Sequence, residues 1–454
     1  MPVEKIKDIL GAGNYLDNPE EIAPYAASWR GGYKGKSPLV ALPTSANQIQ
    51  EIIKICASEK IPVIPQAGNT GLVAGCVPIS GKEIIINLSH MNNIRNIDKA
   101  GFSITAEAGV ILQKLQETAE ENAMIFPLSM GSEGSAEIGG IISTNAGGTA
   151  VLRYGNMRNL VLGLEVVLPD GRLLQKLAAV KKDNTGYDLK QIFIGAEGTL
   201  GIITAATLKC FPQPQEKTTV FASCDDLNHA IEFLNFIKSD ALTAFEFISA
   251  TALELALHEI KNLRNPLKET AKYYLLAEFS LAEIESLLAR ALEQHLVKDM
   301  AVASSIHQAR EFWQLRENIS ESARKIGRSI HFDISVPIEK IPDFLDCTTK
   351  KALEKFPALV SFPFGHLGDG NIHYNFYLPK DVPDDDFARV KSALKKIVYD
   401  AVTDLQGSIS AEHGIGIERR EDFLIYKPKL EIELMRKIKL AIDPDNIMNP
   451  GKIF

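Results

Sequence analysis

The chain has 454 residues, 45% of them hydrophobic and 23% charged, and 49 Lys+Arg against 57 Asp+Glu leave a formal charge of −8. That length sets an expectation of about two to three domains, and mild acidity without a basic block argues against nucleic acid or an anionic membrane as the main partner. The five cysteines, Cys56, Cys76, Cys210, Cys224 and Cys347, are scattered without a C-x-x-C pair, which sets aside a disulfide scaffold, a zinc ribbon and a self-contained iron–sulfur cluster.

The first ten residues are charged and lack the apolar core of a signal peptide. No apolar run reaches the roughly 18–20 residues of a membrane span, so a soluble cytoplasmic protein is expected. From residue 39 to 208 short β-rich runs alternate with Gly-rich turns and a few helical stretches. A strand at 39–42 precedes a helix that Thr44 or Ser45 can cap, with Ile49, Ile52, Ile53 and Cys56 at i, i+3, i+4, i+7. Further strands are predicted at 61–64, 84–88, 104–108, 162–168 and 202–208, the first confined to an edge by Pro62. After a linker at Phe211-Pro-Gln-Pro214, helical patterns at 227–237, 281–296, 308–326 and 338–356 alternate with strands at 244–248, 273–279, 330–336 and 372–378. This alternation suits helices packed on one face of a sheet. From residue 429 onward one amphipathic helix runs to Asp443-Pro444.

Three segments crowd glycine with small polar residues: Pro65-Gln-Ala-Gly-Asn-Thr-Gly71, Gly139 to Gly148, and Gly195-Ala-Glu197-Gly198-Thr-Leu-Gly201. Glycine lets backbone N–H groups turn inward and approach an anion closely, and Thr70, Thr144 and Asn145 would add side-chain donors. Three such clusters within one domain favour a phosphate-bearing cofactor; the plain structural alternative is that the glycines simply turn between short strands. The standard nucleotide fingerprints fail, however: Gly11-Ala-Gly13 lacks its third glycine, and the Walker-like run ending Gly35-Lys36-Ser37 has Arg30 where the first glycine belongs.

A second constellation lies at His366-Leu-Gly-Asp-Gly-Asn-Ile-His373 and Ser410-Ala-Glu-His-Gly-Ile-Gly416. A turn at Gly368-Asp369-Gly370 can fold His366 back beside His373, while His373, Asn375 and Tyr377 alternate onto one face of the next strand. Two imidazoles with a carboxylate, Glu412 or Asp369 on local grounds, make an N/O site for Zn²⁺ or another divalent metal. Two histidines hydrogen-bonded near a turn are the plain structural alternative.

Pro65 to Gly71, Pro127-Leu-Ser-Met-Gly-Ser-Glu-Gly-Ser135, Ile138 to Gly148, Tyr154 to Leu160 and Asn184-Thr-Gly-Tyr-Asp-Leu189 through Gly201 together closely resemble the FAD-binding half of the vanillyl-alcohol-oxidase-type flavoproteins. Within that superfamily the chain is similar to the FAD-linked D-2-hydroxyacid dehydrogenases, which act on D-lactate, glycolate or D-2-hydroxyglutarate, and the resemblance runs from about residue 39 to the end. It implies an α+β fold: a two-subdomain FAD-binding domain at 1–212, an antiparallel-sheet-and-helix substrate domain at 213–405, and a C-terminal helical segment at 406–454 packing back on the first. It places the pyrophosphate on Gly68, Asn69, Thr70 and Gly71, counts Pro65 among the cofactor-binding residues, and lines the flavin with Pro127, Gly134, Ser135, Gly139, Thr144, Asn145, Gly148 and Ile203. Ala67 stands where the family more often has a second glycine, and the absence of histidine from 65–71 implies non-covalent FAD.

The same resemblance assigns His366, His373 and Glu412 to the metal and His413 to the general base. Arg316 and Ser320, one turn apart in Trp313-Gln-Leu-Arg316-Glu-Asn-Ile-Ser320, would hold the substrate carboxylate, with Asn375 beside it. His331 stands where relatives carry lysine, leaving the substrate's distal end to a group only partly charged at neutral pH. The expected partners are a 2-hydroxyacid and an external electron acceptor, a quinone or an electron-transfer flavoprotein, and a homodimer is compatible. A metal-dependent hydrolase and a non-catalytic flavin-binding subunit are the competing readings; the first predicts colourless protein, the second yellow protein that no hydroxyacid bleaches.

Overall fold

A computed structural model describes residues 2–29, 31–261, 263–281 and 284–454. The chain divides into two compact units, one formed by Met1–Gly148, Gly155–Gln213 and Glu412–Phe454, the other by Thr149–Tyr154 and Pro214–Ala411.

The first unit holds two larger sheets and a two-stranded pairing of Phe211–Pro212 with Met124–Ile125. In a four-stranded sheet the order is Tyr15–Leu16, Val40–Ala41, Ile84–Asn87, Val63–Gln66, the last three parallel. Ile84–Asn87 is buried at every position, as a strand covered on both faces must be. Helix Ala46–Glu59 buries the predicted Ile49, Ile52, Ile53 and Cys56. Ser45 caps it by accepting from the Gln48 N–H, and Gln48 Oε1 accepts in return from the Thr44 N–H at 2.8 Å, a reciprocal arrangement that satisfies two orphan donors. The strand expected at 61–64 starts one residue after Pro62, at the sheet edge, and its open side is covered by the chain's end: the Val63 N–H donates to Ile447 O and the Asn449 N–H to Val63 O, both at 2.8 Å. The second sheet is antiparallel, ordered Ile94–Asp98, Ser103–Glu107, Ile202–Lys209, Val161–Val167, Leu173–Lys176. Both sheets feed one core, where Ile52, Val63 and Ile86 meet Ala108, Val167 and Ile202.

Helix Lys429–Ile442 ends before Pro444, and the turn after it is locked from within. Asp443 accepts from the N–H groups of Ile447 and Met448 and holds Lys439, which also donates to Thr199 O at 2.7 Å and Met448 O at 2.9 Å.

In the second unit an eight-stranded sheet runs Asp299–Val302, Thr218–Cys224, Tyr273–Phe279, Leu242–Ser249, Phe364–His366, Asn371–Leu378, Arg328–Ser335, with Val360–Ser361 also on Asn371–Leu378; all its pairings are antiparallel. Helices cover both faces, not the single face expected from the alternation of elements. On one face Phe312 of helix Ile306–Glu317 meets Phe221 at 5.7 Å between ring centroids. On the other, Phe233 of Leu227–Ile237 meets Phe245, Phe344 of Ile341–Lys355 meets Tyr374, and Tyr399 of Asp384–Asp404 meets Phe332. The reason is visible in Leu242–Ser249, buried at all eight positions: a strand buried along both faces needs a layer on each side. The predicted helix 308–326 is two, Ile306–Glu317 and Ile319–Ile326, separated at Asn318. Of the helix expected at 281–296, Glu285–Glu293 is helical, and residues 282 and 283 lie outside the described residues.

Candidate functional site

In the first unit, strand Val63–Gln66 runs into a loop held from below. Asn87 Nδ2 donates to Gln66 Oε1 and Ala67 O, both at 3.2 Å, Gln66 Nε2 donates to Tyr25 O at 2.7 Å, and Asn69 Nδ2 donates to Ala27 O at 3.0 Å. Above this base the amides of Gly68, Asn69, Thr70 and Gly71 donate no hydrogen bond among the described residues, and all four residues are half-buried or exposed. Asn69 has φ +50°. Unpaired amides in succession around a left-handed residue form an anion-binding concavity, so this donor set fits a pyrophosphate. A Cβ on Gly68 would lie 2.0 Å from Ser135 O; only glycine lets the two backbones cross there. Ala67 is buried, facing Gly140.

That contact brings the second glycine segment alongside. Gly139 and Gly148 are buried against Ala108 and Ser129, where added Cβ atoms would meet the Ala108 Cβ at 2.8 Å and Ser129 O at 2.1 Å. Pro127 is half-buried, Gly134 and Ser135 are exposed, and Ile203 is buried in strand Ile202–Lys209. Two of the expected ligand residues also make contacts within the chain. The Thr144 hydroxyl donates to Gly140 O at 3.1 Å at the exit of the short helix Ile138–Ser143, and Asn145 Oδ1 accepts from the Arg158 N–H at 2.9 Å in the first turn of Met157–Leu160. Glu137, just before that helix, is 8% exposed, with Oε2 lacking any partner, and burial pushes its carboxyl up to about 8.

In the third glycine segment Glu197 makes contacts at both its side chain and its backbone. Its carboxylate accepts from the N–H groups of Ile415 and Gly416, both at 2.7 Å, and its backbone oxygen accepts from Asn449 Nδ2 at 2.7 Å. Burial raises the Glu197 pKa, opposed by those two amides and by the Arg419 and Lys452 charges. This anchor holds the segment Glu412-His413-Gly414-Ile415-Gly416, in which Gly414 and Gly416 have φ +80° and +52°. Arg419 Nη2 lies 3.5 Å from His413 Nδ1.

In the second unit the hairpin forms as its glycines require. The Asp369 and Gly370 N–H groups donate to His366 O, and Gly370 has φ +84°. Register pairs Phe364 with His373 and His366 with Asn371, so both imidazoles share a face, with ring centroids 5.3 Å apart and planes at 75°. Asp369, the locally equivalent carboxylate, is exposed and accepts from the Asn371 N–H at 3.2 Å. Across the next strand Asp333 faces His373 at 4.0 Å and is held by Asn371 Nδ2 at 3.0 Å. Its carbonyl accepts from the Ala411 N–H at 3.2 Å, immediately before Glu412 in the chain. Asn375 is buried and its Oδ1 lies 3.2 Å from His331 Nδ1, while His331 Nε2 lies 2.8 Å from Ser329 Oγ.

Arg316 is buried and Ser320 exposed, so the two do not share a face as one continuous helix would have them. Asn318, with ψ −5°, separates the helices between them. Arg316 donates from Nε to Glu246 Oε2 at 2.8 Å, and its guanidinium lies 4.6 Å from the centre of the Phe364 ring. Glu246 Oε1 lies 2.6 Å from His366 Nδ1. Burial works to raise the Glu246 pKa, but the His366 and Arg316 charges prevail and hold it well below the usual carboxylate range. Neither Glu246 nor Glu197 stood out in the sequence; a glutamate inside the apolar run Leu242–Ser249 was the available signal for the first, and its place amid Gly195, Gly198 and Gly201 for the second.

The family described as "FAD binding domain" matches residues 37–175, and that described as "FAD linked oxidases, C-terminal domain" matches residues 213–453. A protein of Oryza sativa subsp. japonica named probable D-2-hydroxyglutarate dehydrogenase, mitochondrial, is 38% identical over 99% of this chain and 81% of its own length. The Arabidopsis thaliana D-2-hydroxyglutarate dehydrogenase, mitochondrial, is 36% identical over the same shares. Among solved structures, p-cresol methylhydroxylase with substrate bound aligns with a TM-score of 0.75 at 17% identity, covering 100% of this chain and 96% of that one; this likeness concerns the fold, and agrees with the expected α+β architecture. The cytoplasmic expectation is overturned, since both relatives are named as mitochondrial; neither the charge of ten N-terminal residues nor the lack of a membrane-length apolar run decides a compartment. No helix among the described residues is long and apolar enough to cross a membrane.

Proposed function

Because the chain belongs to the FAD-linked oxidases, and among them to the D-2-hydroxyacid dehydrogenases, we propose that its FAD-dependent oxidation of a D-2-hydroxyacid to the 2-oxoacid acts on D-2-hydroxyglutarate, with a divalent metal and a histidine base. The observation that carries the reading is a polar group at one face of the sheet: Arg316, His331, His366, His373 and Asn375, drawn from four elements of the second unit. The names of the relatives support the substrate. FAD bound by the first unit would supply the two-electron acceptor for a hydride from the substrate Cα. The metal, zinc by its donor set, supplies Lewis acidity that lowers the pKa of the substrate hydroxyl.

The chain's own residues do the rest. The amides of residues 68–71 hold the pyrophosphate without a covalent link. Arg316 binds the C1 carboxylate through its terminal nitrogens, its Nε being committed to Glu246. His366, His373 and Glu412 hold the metal, supported by two imidazoles already side by side. His413 takes the hydroxyl proton on its imidazole, in a segment that Glu197 grips by two amides. His331, with Asn375 and Ser329, receives the distal carboxylate. Electrons then leave to a quinone or an electron-transfer flavoprotein, supported by the missing dinucleotide fingerprint and cluster cysteines.

An anaerobic absorbance titration tests this. Flavin bands should bleach with D-2-hydroxyglutarate in preference to D-lactate, D-malate and glycolate; preference for a one-carboxylate acid would refute the role of His331. His413→Asn should keep the flavin spectrum and lose bleaching. Chelation should remove a stoichiometric metal together with turnover, and full activity in demonstrably metal-free protein would refute the metal.

A further inference from the structure

Glu246 has no exposed surface, yet it is a carboxylate in a strand whose neighbours are Phe245, Phe247 and Ile248. Burying such a charge is costly unless it is paired and hydrogen-bonded. Both oxygens are used, and by different partners: Oε1 lies 2.6 Å from His366 Nδ1 and Oε2 accepts from Arg316 Nε at 2.8 Å. Strand register explains how one side chain serves both. Phe247 pairs with Gly365 and Ile248 with Phe364, which puts Glu246 beside His366 on the face covered by helix Ile306–Glu317.

Each bond fixes a direction. An imidazole that donates from Nδ1 to a carboxylate carries its lone pair on Nε2, and a carboxylate behind a metal-binding histidine sets both tautomer and ring orientation. A guanidinium held at Nε and lying 4.6 Å from the Phe364 ring centre is constrained at two points, and its remaining fork is the edge that matches a carboxylate. We propose that Glu246 is a positioning residue that aligns the metal-binding and carboxylate-binding groups together, holding His366 in the Nδ1–H tautomer and turning the terminal nitrogens of Arg316 toward the substrate. This rests on the roles given above to His366 and Arg316, and it adds that the two subsites share one anchor.

Glu246→Gln is the direct test, because an amide of the same shape offers one oxygen where two donors compete. In the flavin-loaded protein, zinc affinity is measured by competition with a chromophoric chelator without substrate, and kcat and KM are measured separately at saturating zinc. The expected result is zinc binding weakened by about 10–100-fold together with a raised KM for the hydroxyacid that persists when zinc is saturating. Glu246→Asp, which keeps the charge on a shorter arm, carries the same two readouts should the glutamine variant fail to fold. Loss of thermal stability with both readouts unchanged overturns the proposal, as does a change in only one of them, because the anchor would then serve a single site. Wild-type protein that holds no divalent metal overturns the metal reading underneath, and is told apart because it appears before any variant is made.

Discussion

Glu137→Gln addresses a carboxyl group that the first unit keeps protonated by burial alone. The side chain is 8% exposed, Oε2 has no partner, and burial moves the group from its ordinary 4.5 up to about 8. The folded chain therefore binds more protons at this site than the unfolded chain between those two values. Stability from the neutral carboxyl is full below the unfolded value and is lost as pH rises toward the folded one. At about 1.4 kcal/mol per pH unit the whole interval amounts to roughly 4–5 kcal/mol, of which about 3 kcal/mol has gone by neutrality. Glutamine fills the same space and does not ionise. Denaturation of flavin-free wild-type and variant protein, side by side from about pH 5.5 to about pH 8.5, isolates the effect, since other titrating groups cancel in the difference. The variant should gain steadily on the wild type as pH rises and level off near pH 8. A difference independent of pH would refute the claim that Glu137 is buried as an acid.

Lys439→Met should destabilise the chain by about 3 kcal/mol, because Asp443, with 1% of its side chain exposed, is left buried without its cation; adding Asp443→Asn should recover part of the loss in the same denaturation assay. Gly68→Ala pushes a Cβ to 2.0 Å from Ser135 O and should lower the flavin-to-protein absorbance ratio of the purified protein; full flavin occupancy would show that the loop has room to shift. Phe245→Ala removes a ring buried against Phe233 and should cost about 3–5 kcal/mol, whereas a surface-like effect below about 1 kcal/mol would contradict a helix layer on that face of the sheet.

Much of the site was legible because its signals are short-ranged. The turn at Gly368-Asp369-Gly370 folds His366 toward His373 within eight residues, and the loop from Pro65 to Gly71 carries its amide donors on consecutive residues. Helix Ala46–Glu59 likewise follows from spacing and a cap that act over a few residues. Helix Asp384–Asp404 escaped notice although Val390, Leu394, Val398 and Val402 repeat at four-residue intervals, because charged residues dominate its other faces.

Composition and spacing therefore carried the parts: a glycine loop for an anion, a histidine hairpin, an arginine candidate, and most of the helices and strands. Only the folded arrangement selects which carboxylates serve them. Glu246 lies 120 residues from His366 and 70 from Arg316, and Glu197 lies 218 residues from Ile415. The physical reason is that a carboxylate's partner is chosen by strand register and backbone crossing, which arise from the packing of whole sheets; local spacing carries no record of either.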